Sequence, residues 1–94
     1  MVRIEWNERA LEDLNEIYEY ITRDSKNYAK LFVKKIYENI QKIKDFPNIG
    51  RIVPEVNNPS IREIIFQNYR VIYRNKIEYV EIITVLHGSR LLRI

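Results

Sequence analysis

Residues 61–90 read IREIIFQNYRVIYRNKIEYVEIITVLHGSR, and this stretch decides the fold. Runs at 61–66, 69–74 and 77–86 are dense in Ile, Val, Tyr and Phe, side chains that suit a pleated, half-buried surface. The pairs Gln67-Asn68 and Asn75-Lys76 interrupt them. The spacing predicts three antiparallel strands joined by tight turns. Successive strand residues point to opposite faces, so Arg70, Ile72 and Arg74 share one side of the middle strand, and Tyr69, Val71 and Tyr73 share the other. One face is then basic and the other aromatic and aliphatic. Neither turn contains Gly, and Asn68 and Asn75 are its residues most tolerant of positive φ.

Immediately upstream, residues 46–60, FPNIGRIVPEVNNPS, hold all three prolines and Gly50, the composition of a constrained connection. Before that, Ala29, Phe32, Val33, Ile36, Ile40 and Ile43 recur at helical spacing until Pro47 forbids continuation. Residues 24–27 break an earlier stripe of the same kind, Ala10, Leu14, Ile17, Tyr18 and Ile21, with Asn7 as N-cap and Glu8 in the first turn. Val2, Ile4 and Trp6 alternate with Arg3 and Glu5, which predicts a short strand joining the meander. The order β-α-α-β-β-β predicts an α+β domain over 1–94, a helical hairpin on one face of an antiparallel sheet. Tyr18, Tyr20, Tyr28 and Tyr37 fall on or beside the apolar stripes and are expected to pack or snorkel there. The helix charges, such as Glu12, Glu16, Lys34 and Lys35, read as solvated faces.

With 94 residues, 46% hydrophobic and 31% charged, the chain suits one globular core. No apolar run approaches a membrane span, and MVRIEWNE has no signal-like apolar region, so cytoplasmic residence without a membrane partner is expected. Zero Cys and one His exclude disulfide frameworks and Cys- or His-clustered metal sites, so no metal and no cofactor is expected. Net charge is +3. Residues 1–46 balance nine Lys/Arg against nine Asp/Glu, whereas 47–94 carry seven against four. Six of those seven are arginines (Arg51, Arg62, Arg70, Arg74, Arg90 and Arg93), the side chain suited to forked contact with phosphate or carboxylate. The sheet half therefore reads as a surface for an anionic partner; solubilising, edge-protecting charge is the plainer reading of the same residues.

If the strands pair as proposed, Arg62, Arg70, Tyr73, Arg74, His87 and Arg90 gather together. RNA cleavage by attack of a 2′-hydroxyl needs a base, an acid and stabilisation of the phosphoryl oxygens. Arg70 and Arg90 supply charge, and His87 or Tyr73 a proton carrier.

The segments FPNIGRIVPE, REIIFQNYRVIYR and VEIITVLHGSR, with their GR-x-x-PE, YR-x-x-YR and HG-x-R patterns, resemble the ParE/RelE toxins of toxin-antitoxin (plasmid-stabilisation) modules over nearly the whole chain. The resemblance implies a toxin neutralised by a cognate antitoxin in a toxin-antitoxin hetero-oligomer. RelE-like members are mRNA interferases that cut messenger RNA on the ribosome; ParE-like members inhibit DNA gyrase and are not nucleases. Under it, Arg70 and Arg90 match the arginines that RelE-like nucleases place on the phosphate. After Arg90 comes Leu91-Leu92-Arg93-Ile94, without the tyrosine those enzymes use or the His-Tyr pair of YoeB-like ones. Their paired lysines are also missing, so Arg51, Glu55 and His87 would have to substitute. The long hairpin and HG-x-R ending resemble the ParE-like branch. A gyrase-directed toxin is the expectation and a ribosome-dependent endoribonuclease the alternative, with the antitoxin expected over Arg62, Arg70, Arg74 and Arg90.

Overall fold

The computed structural model describes residues 2–92, so Arg93, counted above among the six arginines of the second half, and Ile94 lie outside the described residues. Strand β1 (Arg3–Trp6) leads into helices α1 (Glu8–Thr22) and α2 (Lys26–Asp45). Strands β2 (Arg51–Ile52), β3 (Ile61–Phe66), β4 (Tyr69–Asn75) and β5 (Tyr79–His87) follow. The architecture is α+β, as expected.

Local chemistry sets the helix ends. The Asn7 side chain accepts from Ala10 N at 2.9 Å, and Ser25 Oγ accepts from Tyr28 N at 3.1 Å, so each caps an otherwise orphaned amide. Because Ser25 is the cap, Lys26 and Asn27 belong to α2 and not to the break. The helix stops at Asp45, two residues before Pro47.

The sheet runs β1-β5-β4-β3-β2 and differs from the expected meander in two ways. β1 does join it, but parallel to β5 with Arg3 opposite Tyr79 and Trp6 opposite Ile82, so the sheet is mixed. Within the proline-rich connection, Arg51 and Ile52 pair with Glu63 and Arg62 as a short edge strand. Two residues between a helix end and Pro54 carry no alternation to detect. The β3-β4 register, Ile61 opposite Arg74 and Phe66 opposite Tyr69, is that of the predicted hairpin. Between β4 and β5 the register slips: Ile72 faces Thr84 while Tyr73 faces Ile82, so β5 carries Ile83 as one extra residue.

The turns also differ in detail. Positive φ falls on Gln67 (52°) and Ile77 (74°), not on the neighbouring asparagines. Ile77 precedes β5 instead of opening it, and the Asn75 side chain accepts from Ile77 N at 3.0 Å. A β-branched residue in the left-handed region is strained, and this one is 85% exposed.

Helices cover one face. Phe32, Ile36, Ile40 and Ile43 of α2 and Ala10 of α1 pack against Val71, Tyr73, Val80, Ile82 and Val85. Phe32 meets Phe66 and Tyr69 edge-on at 5.3 and 5.4 Å. Tyr20, Tyr28 and Tyr37 stand largely out of this core, contrary to the expectation, and the Tyr28 hydroxyl donates to Gln67 at 3.1 Å. Among the described residues no helix is long and apolar enough to cross a membrane.

Candidate functional site

The sheet's outer face, opposite the helices, is not an open basic surface. Val53, Ile61, Ile72 and Leu92 form a second apolar cluster there, roofed by the connection before β3 and by the chain after β5. Alternation along β4 turns Arg70 into this layer, where it is 4% exposed. The expectation was right about which side chains share a face and wrong about that face being open.

Carboxylates saturate Arg70. Its Nε donates to Glu63 at 2.5 Å, and Nη1 and Nη2 donate to the two Glu55 oxygens at 2.7 and 2.9 Å. Nη1 also donates to the Arg90 carbonyl at 2.8 Å. Four of the five guanidinium N–H groups are thus used, including a forked pair on one carboxylate. Glu63, fully buried, also accepts from Arg51 Nε at 2.5 Å. Glu55 accepts the Leu92 amide at 2.8 Å. The Arg70 hydrogen bonds, helped by that amide, hold the Glu55 carboxyl down to about 2 from 4.5. Glu55 in turn raises the Arg70 pKa further above its already high value.

Tyr73, on the helix face, is equally committed. Its hydroxyl donates to the Pro47 carbonyl at 2.8 Å and accepts from Gly50 N at 3.0 Å, and burial raises its pKa. The ring lies so close to Gly50 that a Cβ there would sit 2.8 Å from the hydroxyl and 2.6 Å from the Glu63 carbonyl, so only Gly fits. Arg62 donates to the backbone carbonyls of Pro59 and Gly50 at 3.0 and 2.9 Å, fastening the connection. Arg74 is half-buried, with a buried Nε that has no hydrogen-bond partner among the described residues.

His87, the last residue of β5, and Arg90 beyond it lie elsewhere, both exposed. They line a groove of about 750 Å³ between α1 and β5, with Arg9, Ile17, Tyr20 and Tyr69 among its other walls. The His87 ring meets Tyr69 edge-on at 5.8 Å. Ser89 N donates to His87 Nδ1 at 3.2 Å and Ser89 Oγ lies 2.7 Å from it, so Nδ1 is an acceptor and the neutral ring carries its proton on Nε2.

The six sequence-selected residues therefore divide. Arg70 holds the outer layer, Arg62 and Tyr73 fasten the loop before β2, Arg74 stays half-buried with its Nε unpartnered among the described residues, and His87 and Arg90 share the groove. Sequence reasoning overlooked Glu63 and Asp13. Glu63 has the same strand parity as Ile61 and Ile65, which marks an acid directed toward a layer. Asp13 flanks the α1 stripe and accepts from the Thr84 hydroxyl and from Val85 N, tying α1 to β5. No group of His, Asp and Glu suited to a metal ion occurs among the described residues.

Comparison with known proteins adds the family. The profile described as "ParE toxin of type II toxin-antitoxin system, parDE" matches residues 4–92. A Sinorhizobium fredii protein named "Putative toxin Y4kP" is 34% identical over 90 residues, 94% of this chain and 90% of its own length. Among solved structures, the chromosomal ParDE toxin-antitoxin system from P. aeruginosa matches with a TM-score of 0.78 at 22% identity, over 95% of this chain and 98% of that one. The YoeB dimer from Staphylococcus aureus matches with a TM-score of 0.61 at 21% identity, over 92% and 95%. A YoeB-YefM complex from the same organism is also similar, at 0.57 and 19% identity, over 93% and 97%. These structural likenesses speak for the fold. With the profile spanning nearly all the described residues, the chain belongs to the ParE toxin family of type II toxin-antitoxin systems.

Proposed function

We propose that this toxin is a single-domain cytoplasmic protein that inhibits DNA gyrase by binding it, without chemistry of its own, and that a cognate antitoxin neutralises it in a hetero-oligomer. The observation that carries this reading is the state of Arg70. A nuclease of this scaffold needs that guanidinium on a phosphoryl group, and here four of its N–H groups are held inside the protein. Freeing it would leave Glu63 buried with only Arg51 beside it. Tyr73 is similarly sequestered, and His87 directs an N–H, not a basic lone pair, outward. One observation favours the ribosome-dependent endoribonuclease instead: His87 and Arg90 line the same groove, a proton carrier beside a cation.

The test is a supercoiling assay of purified protein with gyrase, relaxed plasmid and ATP. Inhibited supercoiling or accumulating cleaved DNA is expected. Unaffected gyrase at saturating protein, together with new transcript 5′ ends inside codons after brief expression, would replace this reading with the nuclease one. The antitoxin is expected to cover Arg90, the most accessible of the four arginines assigned to it.

A further inference from the structure

β1 is the outermost strand on its side of the sheet, so one of its edges has no strand beside it. Along a strand in a parallel pair, residues that turn their backbone groups toward the neighbour alternate with residues that turn them away. Asn7 N donates to the Ile82 carbonyl at 3.1 Å and Trp6 is in register with Ile82, so Arg3, Glu5 and Asn7 face β5. Val2, Ile4 and Trp6 therefore turn their N–H and C=O outward. The same phase is seen where Val2 N donates to the Lys44 carbonyl at 3.2 Å. The N–H and C=O of Ile4 and Trp6, and the Val2 carbonyl, have no hydrogen-bond partner among the described residues.

The side chains follow the same alternation. Val2, Ile4 and Trp6 pack on the core from the helix face, and all three are only half-buried. Arg3 and Glu5 stand on the outer face with side chains 66% and 46% exposed, and form an ion pair with each other at 2.5 Å.

A second copy of this strand fits these features. Edge-to-edge pairing about a two-fold axis is antiparallel, and outward-facing residues must meet outward-facing residues for their groups to bond. Registers that pair at least two of Val2, Ile4 and Trp6 differ in what they bring together on the outer face. Val2 opposite Ile4 sets Arg3 against the partner's Arg3. Ile4 opposite Trp6 sets Glu5 against the partner's Glu5. Like charges directly opposite one another are unfavourable in both. Ile4 opposite the partner's Ile4 sets Arg3 against Glu5 and Glu5 against Arg3, in non-hydrogen-bonded pairs, where cross-strand side chains come closest.

We propose that two copies of this toxin join edge to edge through β1, antiparallel and centred on Ile4, into one continuous sheet. The N–H and C=O of Ile4 bond to those of the partner's Ile4, and Trp6 N–H bonds to the partner's Val2 carbonyl. The Arg3–Glu5 pairs within each copy are exchanged for pairs across the junction. Charges that would repel an arbitrary strand select the register here. The contact uses neither the β5 groove nor the outer arginine layer, so it holds whether or not gyrase is the target.

The experiment is sedimentation equilibrium of the full chain from micromolar to millimolar concentration, with amide hydrogen exchange at both ends of the range. The mean mass is expected to rise toward twice that of one chain at submillimolar concentration, in the weak class of small interfaces. The amides of Ile4 and Trp6 should become protected, while that of Glu5, turned toward β5, should not change. Arg3→Glu and Glu5→Arg each leave only like charges across the junction and are expected to self-associate at least about tenfold more weakly. Mixed in equal amounts, the two variants oppose unlike charges at both positions and should associate as tightly as the parent. Both substitutions fall on exposed side chains, and thermal melts check that each variant folds. A monomer at every concentration overturns the proposal, as does a mixture that associates no better than its components. Protection of the Ile4 and Trp6 amides only when the antitoxin is bound would assign the edge to the antitoxin instead. Gyrase inhibition, scored separately, bears on the toxin reading alone.

Discussion

On the helix face of the sheet, Val71, Val80, Ile82 and Val85 pack against Phe32, Ile36 and Ile40, whereas on the outer face Ile72 and Ile61 share their layer with Arg70, Glu63 and Glu55. The first layer is non-directional: any apolar surface of the right shape serves, and fully burying one such side chain stabilises by roughly 1.5–3 kcal/mol. The second depends on geometry. Each charge there is tolerable only while the others are in place, because the cost of dehydrating a lone ion exceeds what packing returns. The difference teaches that a basic strand face can be structural. It also explains why two loops with little apolar surface, residues 53–60 and 88–92, lie fixed on the sheet.

The comparison breaks most sharply at Arg70. Arg70→Met should cost about 3–5 kcal/mol by stranding Glu63, and adding Glu63→Leu should recover a large part of that loss. Urea denaturation of both variants checks this; equal stability of Arg70→Met and the parent would remove the ionic account of the outer face. Ile36→Ala, on the helix face, should cost about 3 kcal/mol as a cavity, by the same amount at pH 3 and pH 7. A strong pH dependence of that loss would show the two layers to be coupled.

Acid separates them further. Glu55 has its carboxyl depressed from 4.5 to about 2 in the folded protein, so its contribution to stability is present above 4.5 and lost as pH falls toward 2. Glu55→Gln should destabilise at pH 7 by about 1–2 kcal/mol, a figure reduced for partial exposure, and flatten the acid limb of stability against pH. Thermal melts across that range give the slope directly, and an unchanged acid limb would contradict the pairing. Smallest of all is Ile77→Gly, at a turn that belongs to neither layer. Relief of the left-handed strain, less the flexibility glycine adds to the unfolded chain, should raise stability by about 0.5–1 kcal/mol. A lower melting temperature would mean that Ile77 is held there by contacts.

Strand parity and helical spacing are local, and they made the helical hairpin, the β3-β4 register and the grouping of Arg70 with Ile72 legible. Alternation reads identically for parallel and antiparallel neighbours, so the parallel place of β1 beside β5 was not legible. The same limit applied to the arginines. Parity says that Arg70 and Arg74 share a face but not what covers it, and the covering residue Glu55 sits 15 positions away in an irregular segment. Glu63 was the readable clue, an acid in phase with Ile61 and Ile65. For the site, the approach of His87 to Arg90 was visible as HG-x-R. Its partition from Arg70 and Tyr73 was not, because it depends on which side of the sheet the chain takes after residue 87.

The parallel pairing of residues 3–6 with 79–82 also bears on when this molecule comes into being. Asp13 reaches Thr84, 71 positions onward, and Leu92 completes the outer layer. A nascent chain can form its helical hairpin early, but the sheet cannot close until its last strand has left the ribosome. At roughly 5–20 residues per second, β5 follows β1 out by several seconds. Such a high contact order slows folding as well. Translation truncated anywhere before β5 therefore yields a fragment that lacks the groove, the seat of Leu92 and the partner of β1, and cannot be a working toxin.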